Sequence, residues 1–119
     1  MKRILFIDDM MEDFEATLEL LSMKDKEVEV YTAKNGKEAL EKLGEANPCI
    51  IFCDYNMPKM DGHSFLKELK TNADYATYST VPIIGTGSFP ADKKEYLDDA
   101  LSKPMWVEDM QEMIEKYCS

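Results

Sequence analysis

The chain has 119 residues, enough for one domain with a substantial core and too few for two. Its formal net charge of −10 argues against direct binding of nucleic acid, because phosphate contacts require clustered Lys and Arg. No stretch approaches the ~20 apolar residues that span a bilayer, and no signal-peptide pattern follows Met1. We therefore expect one acidic domain, with no direct nucleic-acid binding and no membrane insertion.

Strand-like and helix-like patterns alternate from the start of the chain. Residues 3–8 read as a continuous apolar strand, and residues 11–24 place apolar side chains at helical spacing. Residues 27–31 alternate polar and apolar side chains, which predicts a half-exposed strand at a sheet edge. A second helix opens at Asn35-Gly36 and ends near Asn47-Pro48.

The second half of the chain continues the alternation. The apolar run 49–53 predicts a strand buried on both faces, which ends at Asp54 and is followed by a loop and a third helix. Residues 81–86 predict a fourth strand, and Pro90 starts a short helix over 90–97. A weak fifth strand at 100–102 precedes a last helix, opened by Pro104, whose apolar face carries Val107, Met110, Ile114 and Tyr117.

Five strand–helix units predict an α/β domain with a parallel sheet and helices on both faces. Because the alternating second strand belongs at an edge, the strand order 2-1-3-4-5 fits best, with a switch point between strands one and three. Asp8 and Asp9 end the first strand and Asp54 ends the third, so the three carboxylates should converge there. Carboxylates this close repel one another, and the cluster therefore predicts a bound cation.

The three cysteines give no sign of a disulfide in the sequence. Cys49 and Cys53 lie on one strand about 13 Å apart, beyond the ~7 Å limit for a bridge. A zinc site is also poorly supported, because no histidine accompanies the pair. We expect buried thiols in a reducing, cytoplasmic compartment.

Four motifs follow four strands in order, and together they resemble the receiver domains of two-component response regulators, whose topology is flavodoxin-like. They are Ile7-Asp8-Asp9, Asp54-x-x-Met57-Pro58-x-x-Asp61-Gly62, Thr86-Gly87 and Lys103-Pro104. The resemblance covers essentially the whole chain, so we expect residues 1–119 to form one receiver domain with a shortened fourth helix. It also implies a cis peptide bond at Lys103-Pro104.

The resemblance implies a function for each of these residues. Asp54 would accept a phosphoryl group from a histidine kinase or a phosphotransfer protein, giving an acyl phosphate. Mg²⁺, or Mn²⁺, would be bound by Asp8, Asp9, Asp54 and the backbone carbonyl of Asn56. Lys103 would supply an ammonium and Thr86 a hydroxyl to the phosphoryl oxygens.

Nearby polar residues have simpler interpretations. Asp61 before Gly62 is typical of a turn and a helix cap. His63 is the only histidine and stands at a helix start, so we expect a surface or capping position rather than a phosphorelay role. The receiver would act as a signalling module and not as an enzyme, promoting only its own phosphorylation and dephosphorylation. Its partners would be the kinase and a downstream protein or output domain, and dimerisation stays open.

Three other functions are compatible with this order of strands and helices. A flavin site would need a hydroxyl- and glycine-rich loop after the first strand, where this chain has acidic residues. A dehalogenase-like phosphatase would need aspartates two apart, and Asp8 and Asp9 are adjacent. The stronger alternative is a receiver-fold interaction module with little phosphorylation-dependent switching. Receivers commonly carry Tyr or Phe where this chain has Ala100, and the segment from Thr86 to Lys103 is unusually short.

Overall fold

The computed structural model describes residues 1–118 and contains the predicted five-stranded parallel sheet. The strands are β1 Lys2–Ile7, β2 Val28–Ala33, β3 Ile50–Asp54, β4 Ile83–Thr86 and β5 Asp99–Leu101. Their order is β2-β1-β3-β4-β5, and every neighbouring pair is parallel. The predicted fold class is confirmed, including the edge position of the alternating second strand.

Four α-helices cover the two faces of the sheet. They are α1 Glu15–Lys24, α2 Gly36–Ala46, α3 Gly62–Thr71 and α4 Val107–Tyr117. Helices α1 and α4 pack with one apolar cluster, and α2 and α3 pack with the other. Three 3-10 turns complete the order, at Met11–Asp13, Ala73–Tyr78 and Ala91–Lys93.

Burial on both faces explains the unbroken apolar sequence of the central strands. Ile4 and Phe6 of β1 point into the α1/α4 cluster, whereas Leu5 and Ile7 point into the α2/α3 cluster. All four side chains are fully buried. Successive strand residues alternate between faces, so a strand between two helical layers needs apolar residues at every position.

Local capping signals set the limits of α2 as the sequence predicts. The Asn35 side chain accepts a hydrogen bond of 2.9 Å from the Glu38 N–H, which satisfies one free donor of the first turn. Asn47 ends the helix in the left-handed conformation, with φ of 42°. The first helix differs from its prediction, because residues 11–24 divide into the 3-10 turn Met11–Asp13 and α1.

The helix between β4 and β5 is shorter than predicted. The expected helix over 90–97 is reduced to the 3-10 turn Ala91–Lys93. Leu97 packs directly on the strand, since a Cβ at Gly85 would lie only 2.6 Å from a Leu97 methyl carbon. Asp98 then pairs with Ile83 through two hydrogen bonds of 2.8 Å, one to the backbone N–H and one to the carbonyl. These contacts return the chain to the sheet before a longer helix can form.

The prediction that the cysteines are free thiols is wrong for two of them. Cys49, directly before β3, and Cys118, at the end of α4, form a disulfide, while Cys53 is a buried free thiol. Spacing along one strand excludes only the Cys49–Cys53 pair. The partner of Cys49 is 69 residues away in the sequence and reaches it through the packing of α4.

No helix within residues 1–118 is long and apolar enough to cross a bilayer. The longest α-helices, α2 and α4, have 11 residues each.

Candidate functional site

Three aspartates meet at the carboxyl ends of β1 and β3. Asp8 and Asp9 directly follow β1, and Asp54 is the last residue of β3. The two strands are parallel neighbours, with Ile7 paired to Cys53, so their ends coincide. One carboxylate oxygen from each aspartate lies within 4.8 Å of the others. The structure therefore brings together the three carboxylates that the sequence analysis selects.

Lys103 approaches this cluster from the loop after β5. Its Nζ lies 2.8 Å from Oδ2 of Asp8 and 3.3 Å from Oδ1 of Asp54. The same ammonium lies 5.3 Å from the centre of the Phe14 ring. The Lys103–Pro104 peptide bond is cis, as the sequence analysis predicts. One ammonium thus bridges two of the three carboxylates and leaves the cluster with excess negative charge.

The charges of the cluster change the proton affinities of its members. Desolvation and then the charge of Asp8 raise the pKa of Asp54 above its ordinary value of 3.8, and Lys103 opposes this shift. Desolvation is the largest influence on Lys103 and lowers its pKa. The hydrogen bonds and charges of Asp8 and Asp54 outweigh it, so the Lys103 pKa lies above its ordinary value of 10.5. Both shifts express the cost of burying carboxylates with too little positive charge.

The end of β4 provides a hydroxyl and open space beside Asp54. Thr86 pairs with Asp54 in the strand register, and its buried hydroxyl makes no hydrogen bond within residues 1–118. Gly87 has φ of +81°, and a Cβ there would lie 3.0 Å from Oδ1 of Asp54. Only a residue without a side chain leaves this approach to Asp54 open.

A cavity of about 500 Å³ opens over Asp54. Besides Asp54 it is lined by Asp9, Met10, Asn56, Gly87, Ser88, Ser102 and Lys103. Sequence reasoning selected Asp9, Asn56, Gly87 and Lys103, but it missed Met10 and Ser102 as lining residues. Neither of these has a sequence pattern of its own, because Met10 lies three positions after the end of β1 and Ser102 one position after the end of β5, both in irregular loops.

The loop after β3 is held by Asp61 and Gly62. The Asp61 carboxylate accepts a hydrogen bond of 2.8 Å from the Ser64 N–H, which confirms the predicted helix cap. A Cβ on Gly62 would lie 2.1 Å from the Asp54 carbonyl oxygen, so the loop can fold back against β3 only with glycine there. Both residues position the loop, and Asp61 lies outside the carboxylate cluster.

His63 differs from its predicted surface or capping position. Its ring stacks on Tyr96 at 5.5 Å between centroids, and only 14% of its side chain is exposed. Nε2 lies 3.6 Å from a Glu95 oxygen. The histidine therefore links the start of α3 to the short β4–β5 connection, and the capping role belongs to Asp61.

The donor set fits a divalent oxygen-coordinated cation. Asp8 is fully buried and Asp54 nearly so, and desolvation, followed by the charge of Asp8, raises the pKa of Asp54. Asp9, at the cavity surface, supplies a third carboxylate. Carboxylate oxygens are the preferred ligands of hard cations such as Mg²⁺ and Ca²⁺. The cluster can therefore accommodate a divalent metal.

Comparison with known proteins identifies the family of this chain and the kind of signalling in which the family acts. A family model described as response regulator receiver domain matches residues 4–115. The chain belongs to this family. This receiver domain is 31% identical over 118 residues to the chemotaxis protein CheY of Listeria monocytogenes, and the alignment covers 98% of both chains. It is thus a signalling module of the CheY type, which implies two-component signalling.

Further relatives agree with this assignment. The CpxR homolog of Haemophilus influenzae, a transcriptional regulatory protein, is 34% identical over 110 residues, which are 87% of this chain and 44% of that protein. The solved structure of chemotaxis response regulator CheY4 of Vibrio cholerae superposes on this receiver domain with a TM-score of 0.79 at 28% identity, covering 98% of both chains. A domain from Wolinella succinogenes, with a TM-score of 0.82 at 23% identity, covers 99% of this chain and 94% of its own and supports the fold alone.

Proposed function

We propose that the chain is a phosphoacceptor in which Asp54 receives a phosphoryl group from a histidine kinase or a phosphotransfer protein. The observation that carries this proposal is the position of the Asp54 carboxylate. It lines the 500 Å³ cavity, 3.3 Å from the Lys103 ammonium and beside two further carboxylates. A nucleophile, a fixed cation and an acidic cluster at one open site are the parts that phosphoryl transfer requires.

The chemistry is a displacement at phosphorus. A carboxylate oxygen of Asp54 forms a bond to phosphorus, the bond from phosphorus to the donor imidazole nitrogen breaks, and the product is an acyl phosphate. Lys103 stabilises negative charge on the phosphoryl oxygens, and the Thr86 hydroxyl, which has no partner within residues 1–118, donates a hydrogen bond to one of them. Gly87 leaves room for the transferred group.

The transfer would depend on Mg²⁺, with Mn²⁺ as the other candidate. Asp8, Asp9 and Asp54 would hold the ion together with the backbone carbonyl of Asn56, a residue that lines the same cavity. When bound, the ion neutralises the phosphoryl and carboxylate oxygens that meet at the site. Lys103 alone cannot balance three carboxylates, and this imbalance supports the metal.

Residues 1–119 would form the whole receiver domain and act in the cytoplasm with the kinase and a downstream protein or output domain. The net charge of −10 supports contacts with proteins rather than direct contacts with nucleic acid. Catalysis would be limited to the phosphorylation and dephosphorylation of the domain itself.

A receiver-fold interaction module with little switching is the second candidate. Ala100 supplies no ring to follow a movement of Thr86, and the β4–β5 connection has only one 3-10 turn to reposition. Phosphorylation chemistry would be intact in such a module, while the conformational response would be weak. The two candidates differ in whether phosphorylation changes the structure beyond the site.

The phosphoacceptor assignment is tested with acetyl phosphate and Mg²⁺. We expect the wild-type chain to gain one phosphoryl group by intact mass, and the Asp54→Asn variant to gain none. Asp61→Asn is the matched control, because it removes the same charge from the neighbouring loop while asparagine keeps the helix cap. Full phosphorylation of Asp54→Asn would contradict the assignment, and loss in both variants would indicate a general effect of charge on the site.

A further inference from the structure

The disulfide joins two parts of the chain that only the complete fold brings together. Cys49 directly precedes β3 and Cys118 directly follows α4, 69 residues later, yet their Cα atoms are 5.4 Å apart. This separation is within the ~4.4–6.8 Å range that a disulfide bridges without backbone movement. The fold thus places the two cysteines at a separation that allows the bond to form without backbone movement.

We propose that Cys49 and Cys118 form a reversible redox modification site whose reaction partner is a low-molecular-weight disulfide such as oxidised glutathione. One protein thiolate attacks a sulfur of the small disulfide, which gives a mixed disulfide and releases one small thiol. The second protein thiolate then attacks the protein sulfur of the mixed disulfide and releases the second small thiol. The protein loses two electrons and two protons, and both pass to the small disulfide.

Both redox forms fit the surroundings of the pair. In the disulfide-bonded structure the carbonyl oxygen of Arg3 lies 3.3 Å from Sγ of Cys49, where it would accept a hydrogen bond from the thiol of the reduced form. Cys118 is held at the last turn of α4 by one hydrogen bond of 2.8 Å from its N–H to Ile114. Terminal helical turns open with little free energy, so fraying of this turn exposes the sulfur to a small reagent.

The third cysteine does not share these properties. Cys53 is a free thiol that is fully buried near the carboxyl end of β3. A small disulfide cannot reach an enclosed thiol in the folded chain, so Cys53 should not exchange. Cys53 is therefore an internal control for selectivity.

The disulfide would fix the end of α4 on the sheet. The apolar face of this helix, with Met110 and Ile114, packs in the cluster that Ile50 and Leu18 also line. Closing a loop of 69 residues restricts the unfolded chain strongly. We expect the oxidised chain to melt roughly 10 °C above the reduced chain. The proposal is independent of Asp54, because the bond lies at the opposite end of β3.

The test uses the full chain equilibrated in buffers from fully reduced to fully oxidised glutathione. Samples are quenched in acid, denatured and alkylated, and the alkylated thiols are counted by mass. We expect all three thiols to react after reduction and Cys53 alone to react after oxidation, with the melting temperature following the same transition. Cys49→Ser and Cys118→Ser should each abolish the melting-temperature shift, whereas Cys53→Ala should retain it.

Three results would overturn the proposal. All three thiols could remain alkylatable in oxidised glutathione, which would mean that the pair does not oxidise. The bond could resist reduced glutathione, which would make it a permanent structural link. The Cys118→Ser variant could keep the full melting-temperature shift, which would place the redox effect elsewhere.

Discussion

Asp8 shows at the scale of one residue how the site is balanced. Its carboxylate is fully buried, and it accepts a hydrogen bond of 2.8 Å from the Met10 N–H while pairing with Lys103. A buried carboxylate is stable only with such partners. The Lys103 ammonium also pairs with Asp54, however, and the third carboxylate, Asp9, lines the cavity. The site thus retains unbalanced negative charge, and this charge gives a cation its binding energy.

Addition of Mg²⁺ should stabilise the folded chain by mass action. At a concentration of one hundred times the dissociation constant, the gain is about 2.7 kcal/mol. We expect Asp9→Ala to remove most of the rise in melting temperature. Asp13→Ala is the control, because this exposed aspartate on the following 3-10 turn changes the net charge equally. An unchanged Mg²⁺ response in Asp9→Ala, or an equal loss in both variants, would argue against the metal site.

Replacement of Gly87 should damage stability and phosphorylation together. A Cβ would be forced into a φ of +81° and placed 3.0 Å from Oδ1 of Asp54. We expect Gly87→Ala to lose about 1–2 kcal/mol in urea denaturation and to accept phosphoryl groups more slowly. Gly44→Ala, exposed on α2 with its nearest neighbouring atom at 3.9 Å, should instead gain about 0.5–1 kcal/mol. Similar stability changes in the two variants would contradict this account of Gly87.

In the β4–β5 connection, single side chains cover the part of the sheet on which a longer helix would pack. Phe89 is buried against Tyr55, with ring centroids 5.3 Å apart, and Leu97 covers Gly85. These side chains occupy the space over β4 that a longer helix would cover. Beside them remains a cavity of about 240 Å³, which Phe89, Leu97 and Ala100 help to line. The connection is therefore packed by single side chains and leaves room for Phe89 to move.

The edge strand β5 is tied to α4 by Asp99. Its carboxylate accepts hydrogen bonds from the Ala100 N–H at 2.9 Å, the Tyr117 hydroxyl at 3.0 Å and the Lys116 ammonium at 3.3 Å. The Ala100 N–H first, and then Tyr117 and Lys116, lower the pKa of Asp99 below its ordinary value of 3.8, although desolvation opposes them. The ionised carboxylate therefore stabilises the contact between the strand and the helix.

This stabilisation should depend on pH in a defined direction. The folded pKa is the lower one, so the contribution is complete above pH 3.8 and is lost as the pH falls through the folded pKa. Because the side chain is partly exposed, we expect Asp99→Asn to cost no more than about 1 kcal/mol at pH 7. Asp92→Asn, exposed on the 3-10 turn, should cost nothing measurable. A difference between wild type and Asp99→Asn that persists unchanged in acid would refute this account.

At the scale of the whole molecule, a conformational response to phosphorylation requires an element with two packings that the phosphoryl group distinguishes. The Thr86 hydroxyl is buried without a partner in residues 1–118, so it is free to turn towards a new acceptor. The residues that follow Thr86, as far as Phe89, line the neighbouring cavity and have space to move. Asp98, in contrast, is held to β4 by its two hydrogen bonds with Ile83. The movement should therefore stay near the β4 end and the Lys103 loop.

We expect beryllofluoride with Mg²⁺, which imitates the phosphoryl group, to shift backbone amide resonances most in residues 85–90 and 103–108. The fluorescence of Trp106, which is 64% exposed beside this loop, should change with them. Asp54→Asn should show neither response. Shifts concentrated in 91–99 would mean that the short connection carries the signal. No shifts beyond the site would favour the interaction module with little switching.

Local patterns in the amino-acid sequence were sufficient to predict the strands, their order and the carboxylate cluster. Apolar runs at 4–7 and 49–53 specify strands buried on both faces, because successive residues pack against two opposite helical layers. The alternation of polar and apolar residues at 27–31 places the second strand at an edge of the sheet. With the fully apolar strands in the middle, the order 2-1-3-4-5 fits best. Aspartates at the ends of two adjacent parallel strands must meet, so the carboxylate cluster was predictable before any contact was known.

Contacts between segments that are far apart in the sequence could be identified only in the folded chain. The Cys49–Cys118 bond, the stacking of His63 on Tyr96 and the reduction of the fourth helix to one turn each join segments with no local pattern in common. Their positions follow from how α4 and the β4–β5 connection pack on the finished sheet. Spacing along the chain limits only neighbours on one element, and therefore it excluded the Cys49–Cys53 bridge without revealing the bridge that packing creates.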